Sequence, residues 1–160
     1  MKWSVLAAVA AAMLALGTTG ALSAPGKGGS AMQLSGTWMT TVSLVNPPPG
    51  IDATFQALDT FVAGGGILAS SSQSHPIVRS LAHGNCAHTT GRQYRCMFVW
   101  FRYDPTSGAF VGLQRVRRTM TVSSDGTSFQ STDTIEILAP DGTTVLATLQ
   151  GSEIGHRLGL

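Results

Sequence analysis

Three acidic side chains in this sequence share the alternate positions of their segments with apolar residues. Asp59 lies in the segment TFQALDTF, Asp133 in SFQSTDTIEIL and Glu153 in VLATLQGSEIGHR. A carboxyl group in such surroundings either takes up a proton or pairs with a cation, because an isolated buried charge is costly. A neutral carboxyl can donate a proton, and a paired one can orient the polar end of a ligand. Asp59, Asp133 and Glu153 are therefore the candidate catalytic residues.

Strand alternation assigns these carboxylates to an inner face. The apolar residues of the same parity are Phe55, Ala57 and Phe61 around Asp59, Phe129, Ile135 and Ile137 around Asp133, and Val145, Ala147 and Leu149 before Glu153. One interpretation is a polar patch in an apolar cavity, the composition of a small-molecule site. The alternative is a set of solvated pairs at a barrel rim. For Glu153 and Arg157, four residues apart, the favoured interpretation is a structural ion pair.

A cationic partner for the carboxylates is available in the segment LQRVRRTMTV, although its inner face is ambiguous. Apolar residues in its second half predict that Arg118 points inward, whereas Leu113 predicts that Arg115 and Arg117 do. A bulge near Gln114 would reconcile the two halves. The apolar residues of the second half are Val116, Met120 and Val122.

The segments that position these residues are extended, and none shows convincing helical periodicity. Separators rich in Gly, Pro, Asn and Asp predict short turns, so consecutive strands should pair antiparallel. The fold predicted over residues 34–158 is an all-β, eight-stranded antiparallel up-and-down barrel. A longer loop, 73–79, is expected to lie over the barrel mouth. The predicted strands are 34–44, 53–62, 67–71, 80–88, 94–103, 109–122, 128–138 and 144–158.

Gly36-Thr37-Trp38 on the first strand and Arg157 near the end of the last would be neighbours in a closed meander. A guanidinium over an indole is favourable by about 0.5 to 2 kcal/mol. The pattern resembles the calycin superfamily, in which a Gly-x-Trp on strand one packs its indole against an arginine of the closing strand. The resemblance implies a lipocalin-like barrel and structural roles for Gly36, Trp38 and Arg157.

A second resemblance extends from TFQALDTF to the terminal motif Gly151-x-x-x-Gly155-x-Arg157. The pattern is similar to small secreted bacterial proteins with lipocalin-like or allene-oxide-cyclase-like barrels. It covers most of the chain after the N-terminal segment. It implies a fold and carries no assigned function.

The N-terminus is typical of a secretory signal. Lys2 precedes an apolar run from Val5 to Leu16, which is too short to span a membrane as a helix, and cleavage is plausible after Ala21 or Ala24. We predict a signal peptide over 1–24, a flexible lead-in over 25–33 and a secreted or periplasmic product without a membrane anchor. An uncleaved N-terminal anchor is the alternative.

Cys86 and Cys96 are the only cysteines, and export makes a disulfide between them the expected state. Gly91 lies midway between them, so they face each other if the two segments form a hairpin. A Cys/His metal site with His83 and His88 is the alternative, but these residues lack the tight spacing of such sites. We therefore expect no metal.

Charge and motifs argue against several other functions. Ten Lys plus Arg face eight Asp plus Glu, without a basic run, so no nucleic-acid partner is expected. Hydrolase, metalloprotease, phosphate-loop and dinucleotide motifs are not found, and no cofactor is expected. A haem-binding barrel would need an inward histidine, and His156 has the opposite parity from Arg157.

The segment YRCMFVWFRY is apolar on both faces, with Phe98 and Trp100 on one and Met97, Val99 and Phe101 on the other. One face of a strand in a monomeric barrel should contact water. This strand therefore predicts cover from the N-terminal segment or from a second subunit, which would make the protein a homodimer.

The sequence as a whole predicts a barrel that holds a small apolar or amphipathic molecule. One alternative is a cyclase or isomerase of allene-oxide-cyclase type that uses the same cavity, and another is a filled barrel with a structural or interaction role. The expected ligand-binding residues are Trp38, Phe55, Asp59, Phe98, Trp100, Arg118 and Asp133.

Overall fold

The computed structural model describes residues 34–73 and 77–159. The predicted signal peptide, 1–24, and lead-in, 25–33, lie outside this range. Within it, no helix is both long and apolar enough to cross a bilayer. The strands are β1 (Gly36–Val45), β2 (Thr54–Phe61), β3 (Gly66–Ser71), β4 (Ala82–Thr90), β5 (Gln93–Tyr103), β6 (Phe110–Val122), β7 (Ser128–Leu138) and β8 (Val145–Arg157).

The eight strands form one closed barrel. Each strand pairs antiparallel with its neighbours in sequence, and β1 pairs with β8. The predicted eight-stranded antiparallel up-and-down barrel is confirmed. Short turns favour this order because parallel neighbours would need much longer crossover connections. Closure also pairs the free edges of the first and last strands, which would otherwise expose backbone hydrogen-bonding groups.

Most strand boundaries lie close to those predicted. β1 begins at Gly36, later than expected, because Leu34 packs into the core and its carbonyl accepts a hydrogen bond from Nε1 of Trp38 at 2.9 Å. The chain before β4 touches β5 through an isolated bridge between Arg79 and Arg102. The predicted start of the fourth strand, at residue 80, is therefore too early, because the chain before Ala82 is a loop that pairs with the sheet at only one bridge.

The prediction of a bulge near Gln114 is wrong. β6 pairs with β7 without interruption from Leu113 to Val122. The pairing of β6 with β5 does shift register, but closer to the start of β6. Arg102 pairs with Gly112 and the next residue, Tyr103, pairs with Phe110. The apolar Leu113 lies on the outer face, half-buried and close to the turn between β7 and β8. It therefore packs against the outside of the barrel and does not mark the inner face.

The arginines of β6 accordingly point in two directions. Arg118 is buried inside the barrel, as the apolar parity of its own half predicts. Arg115 and Arg117 point outward, and their Nε atoms lie 2.6 and 3.4 Å from Oε2 of Glu136. The inner face of β6 is thus continuous, and only Arg118 contributes a charge to it.

One end of the barrel is filled by aromatic side chains. Trp38 is fully buried, with its ring centroid 5.3 Å from that of Phe129 and 6.4 Å from that of Phe61. The guanidinium carbon of Arg157 lies 4.3 Å from the Trp38 centroid, as the calycin-like pattern predicts. Arg157 also donates to the carbonyls of Ser35 and Gly126. We call this region the closed end.

Glycines at the closed end allow this packing. Gly36 has a φ of 125°, and a Cβ there would lie 2.8 Å from Nη1 of Arg157. A Cβ at Gly155 would lie 2.2 Å from the Phe129 ring. Both positions exclude larger residues, since a left-handed backbone and a close ring approach each favour glycine. The Gly-x-Trp and terminal glycine motifs therefore have a packing cause.

Cys86 and Cys96 form a disulfide with an S–S distance of 2.05 Å. They are directly paired in the β4–β5 hairpin, so this prediction is confirmed. Both sulfurs are used in the bond, which removes the thiolates that the alternative Cys/His metal site requires. A disulfide is compatible with an oxidising compartment outside the cytoplasm.

The two faces of β5 differ in exposure. Phe98 and Trp100 are buried inside the barrel, whereas Met97 is 46% exposed and Phe101 is 50% exposed on the outside. The Phe101 ring contacts that of Phe110 at 5.8 Å between centroids. Arg117 Nη1 lies 3.8 Å from Sδ of Met97, and the outer apolar row still leaves Met97 and Phe101 about half exposed.

Candidate functional site

A cavity of about 430 Å³ occupies the end of the barrel opposite the closed end. The β1–β2, β3–β4, β5–β6 and β7–β8 connections surround it. Its volume lies in the range of small-molecule sites. Most of its walls are apolar, and the residues that form them include Val42, Leu44, Ile51, Phe55, Phe98, Trp100, Val116, Ile135, Ile137 and Leu149.

The floor of the cavity is a cluster of four buried charged groups, which we call the ion cluster: Arg118, Asp59, Asp133 and Glu153. Arg118 Nη1 donates to Oδ2 of Asp59 at 2.5 Å, and Nε donates to Oδ1 of Asp133 at 3.2 Å. Nη2 donates to Oδ2 of Asp133 at 3.2 Å and to Oε1 of Glu153. One guanidinium therefore holds carboxylates from three other strands.

Strand register brings these groups together. Arg118 and Asp133 are direct cross-strand partners on β6 and β7. Asp59 on β2 and Glu153 on β8 face the same interior, with exposed fractions of 1% and 6%. Their inward orientation was predicted from apolar parity. The alternative interpretation of solvated rim residues is wrong, since the cluster lies between the cavity and the closed end.

The expected pair between Glu153 and Arg157 is also wrong. Glu153 pairs with Arg118, while Arg157 packs on Trp38. Residues four apart on a strand are separated by about 13 Å, because each residue advances the chain by about 3.3 Å. Two side chains on the same face at that spacing lie in different layers of the barrel.

Burial and mutual charge set the protonation of the cluster. Burial alone would lower the pKa of Arg118, but Glu153, Asp59 and Asp133 outweigh it and hold that pKa above its usual value. Burial raises the pKa of Glu153 well above its usual value; Arg118 opposes this rise, and the charges of Asp59 and Asp133 add to it. Arg118 is thus a permanent cation, and burial favours the protonated form of Glu153.

An arginine covers the cavity from the long β3–β4 loop. The guanidinium carbon of Arg79 lies 4.1 Å from the Trp100 ring centroid, and Nη1 donates to Oγ of Ser71 at 3.2 Å. Backbone hydrogen bonds fix its position, since Tyr103 N donates to Val78 O at 2.9 Å. Burial lowers the pKa of Arg79 to about 10, and the charge of Asp59 opposes this shift.

Most of the residues predicted to bind a ligand line this cavity. Trp38 does not, because it belongs to the closed end beneath the ion cluster. The side chains that line the cavity as expected are Phe55, Asp59, Phe98, Trp100, Arg118 and Asp133, together with the candidate catalytic residue Glu153.

None of the described histidines lines the cavity. His83, His88 and His156 are all exposed. His156 thus has the outward orientation that its parity predicts. Among residues 34–73 and 77–159, no group of three or more His, Cys, Asp or Glu side chains is arranged to hold a metal ion.

Arg79 is the site residue that sequence reasoning missed. The loop 73–79 was expected to lie over the mouth, and its described residues Gln73, Val78 and Arg79 line the cavity. Arg79 is the one Lys, Arg, Asp or Glu in that loop. Its charge was the available signal, but loop residues have no face parity from which a contact with Trp100 could be predicted.

Comparison of the chain with known protein families, with curated proteins and with solved structures gives no match. The architecture is compatible with a calycin-like fold through the closed eight-stranded barrel and the stack of Arg157 on Trp38.

Proposed function

We propose that this protein is a secreted or periplasmic, lipocalin-like member of the calycin superfamily that holds a small apolar or amphipathic molecule. The observation that carries this proposal is the cavity of about 430 Å³, with apolar walls and a charged floor. Apolar walls favour the body of a ligand through burial of its surface, and a few polar groups orient it.

Export is part of the proposal. It is supported by the N-terminal sequence 1–24, which has the charge and apolar run of a signal peptide, and by the disulfide between Cys86 and Cys96. Expression in the native host followed by fractionation tests it. Recovery of the protein with residues 1–24 intact in the cytoplasm would contradict export.

Native mass spectrometry of protein purified from its own source tests the binding function. We expect a bound species of small mass that is lost on denaturation. Ala147→Trp provides a matched test, because Ala147 lines the cavity at an exposed position where a larger ring can fill the mouth. Ala87→Trp, on an exposed position of β4, is the control. Ala147→Trp should lower the affinity for the bound molecule by about tenfold or more, which corresponds to ~1.4 kcal/mol, and Ala87→Trp should not change it.

A cyclase or isomerase of allene-oxide-cyclase type is the second candidate. The raised pKa of Glu153, caused mainly by burial, favours it, since a neutral carboxyl in a cavity can donate a proton. Isomerisation conserves mass, so the retained molecule should change its chromatographic retention but not its mass when it is incubated with fresh protein. Glu153→Gln should abolish that change, whereas a simple carrier would never produce it.

The cavity disfavours a filled barrel with a structural or interaction role. Self-association is compatible with any of the three functions, and we propose a homodimer that covers Met97, Val99 and Phe101 on the outer face of β5. Light scattering of the parent and of Phe101→Lys tests it. A parent that remains monomeric at high concentration would contradict the dimer.

A further inference from the structure

The ion cluster contains more negative than positive groups. Arg118 is the single cation for Asp59, Asp133 and Glu153, so the cluster would have a net charge of −2 if all four groups were ionised. Arg79, whose charge interacts with Asp59, adds one cation at the mouth. One negative charge remains without compensation even when Arg79 is included.

Glu153 is where this excess is located. Its Oε1 accepts from Arg118, whereas its Oε2 is buried and has no hydrogen-bond partner within the described residues. The side chain lines the cavity. A buried carboxylate oxygen without a donor is unfavourable, because it has lost its hydrogen bonds to water. The missing donor is either a proton on Glu153, which Asp133 can accept, or a group that enters the cavity once Glu153 turns its covered Oε2 toward it.

We propose that the cavity selects amphipathic amines, whose ammonium group donates to Oε2 of Glu153 and whose apolar body lies against the cavity walls. This inference rests on the proposed binding function and names its ligand class. An ammonium supplies both the missing charge and the missing donors, since it has up to three N–H groups. Phe55, Trp100 and Leu149 are available to the apolar body.

Other head groups fit this floor less well. A carboxylate ligand would add a fourth negative charge beside a guanidinium that already has three partners. An alcohol can donate one hydrogen bond but leaves the charge uncompensated. The order of affinity for one alkyl chain should therefore be amine, then alcohol, then carboxylate.

Binding of an ammonium should also be linked to protons. Burial favours the protonated form of Glu153 in the free protein, so the amine displaces a proton to the buffer. The charged groups that face Glu153 are Arg118 from β6, Asp59 from β2 and Asp133 from β7, with Arg79 over the mouth. The affinity for the amine should rise with pH from the ordinary glutamate range up to the raised pKa of Glu153, and level off above it while the alkylammonium stays charged.

Calorimetric titration of the exported protein with octylamine, 1-octanol and octanoate tests the inference. At about pH 8 we expect octylamine to bind at least tenfold more tightly than octanol, ~1.4 kcal/mol. Glu153→Gln should reduce this preference to about twofold or less. Glu136→Gln, the same substitution on the outer face, is the matched control and should keep the full preference.

The possible outcomes of the titrations distinguish the amine inference from the binding function on which it rests. If octanol binds and octylamine binds no more tightly, the amine inference is overturned and the binding function stands. If none of the three binds, the proposed function fails as well. A preference that survives in Glu153→Gln overturns the assignment to Oε2. Should that variant not fold, the parent decides: a preference that rises with pH supports the inference, and a flat one overturns it.

Discussion

Each end of the barrel has an arginine stacked on a tryptophan, but the two pairs lie in different surroundings. At the closed end Arg157, on a strand, lies 4.3 Å from the Trp38 centroid and donates to two backbone carbonyls. At the mouth Arg79, in a loop, lies 4.1 Å from the Trp100 centroid and donates to a serine hydroxyl.

The difference between these pairs lies in what surrounds the indole. Trp38 is packed on all sides by Phe61, Phe129 and the strands that hold them. Trp100 lines a cavity and therefore has packing neighbours on only part of its surface. The same type of cation–π contact thus lies in a packed core at the closed end and beside a cavity at the mouth.

The largest contrast should appear when each indole is removed. Trp38→Ala should lower the free energy of unfolding by about 3–5 kcal/mol, because it leaves a large void in a packed region. Trp100→Ala should cost about 2 kcal/mol, since it enlarges an existing cavity and loses fewer contacts. Denaturant titration of both variants measures the contrast, and equal losses would mean that the mouth is packed as tightly as the closed end.

Loss of the disulfide should have the next largest effect on stability. Replacing both Cys86 and Cys96 by Ser should lower the free energy of unfolding by about 2 kcal/mol, because the bridge closes only a short loop. Ligand retention should not change, as neither residue lines the cavity. Intact mass with and without reductant checks that the parent is bridged; free thiols in the unreduced parent would contradict the bond.

Exchange of each arginine for methionine tests the two stacks themselves. Arg157→Met should cost about 1–2 kcal/mol, since it removes a cation–π contact and leaves two carbonyls without a donor. Arg79→Met should cost less, about 0.5–1 kcal/mol, since it removes a cation–π contact at a partly exposed loop position. Stopped-flow release of bound ligand should instead become faster in Arg79→Met, and an unchanged release rate would rule out its role as a cover.

The remaining contrast is a pH dependence that originates between the two ends. The folded-state pKa of Glu153 is raised by burial, so the folded chain binds more protons than the unfolded chain between the ordinary glutamate pKa and the raised one. The stabilisation is complete below that window, and the free energy of unfolding falls as pH rises through it.

Glu153→Gln should flatten this dependence. Glu136 provides the control, because hydrogen bonding from Arg115 lowers its pKa and its window lies at lower pH. Thermal melts from about pH 5 to 8 measure the slope, above the ordinary carboxylate range. A slope in Glu153→Gln equal to that of the parent would assign the titration to another group.

Much of the barrel could be predicted from the sequence because its signals are local. Alternation identified the inner faces that contain Asp59, Asp133 and Glu153, and turn residues gave the strand order. The cysteine pairing followed from hairpin symmetry about Gly91. These inferences need only the parity and position of residues within one or two strands.

The features that could not be predicted depend on several elements at once. Leu113 suggested a bulge because an apolar residue packed on the outer face is indistinguishable, in sequence, from one in the core. Glu153 was assigned to Arg157 on its own strand, although its partner comes from β6. The contact of Arg79 depends on the path of a loop, which has no periodicity to interpret.

The ion cluster has a further consequence for folding. Arg118 and its three carboxylates come from four strands, and a slip of one residue in any of them would turn its charged group toward solvent. The barrel with the native register is then the arrangement that brings all four groups together, whereas a shifted barrel would leave Arg118 buried with fewer partners. The cluster thus penalises misaligned barrels, including those in which closure of β1 on β8 would join the wrong residues.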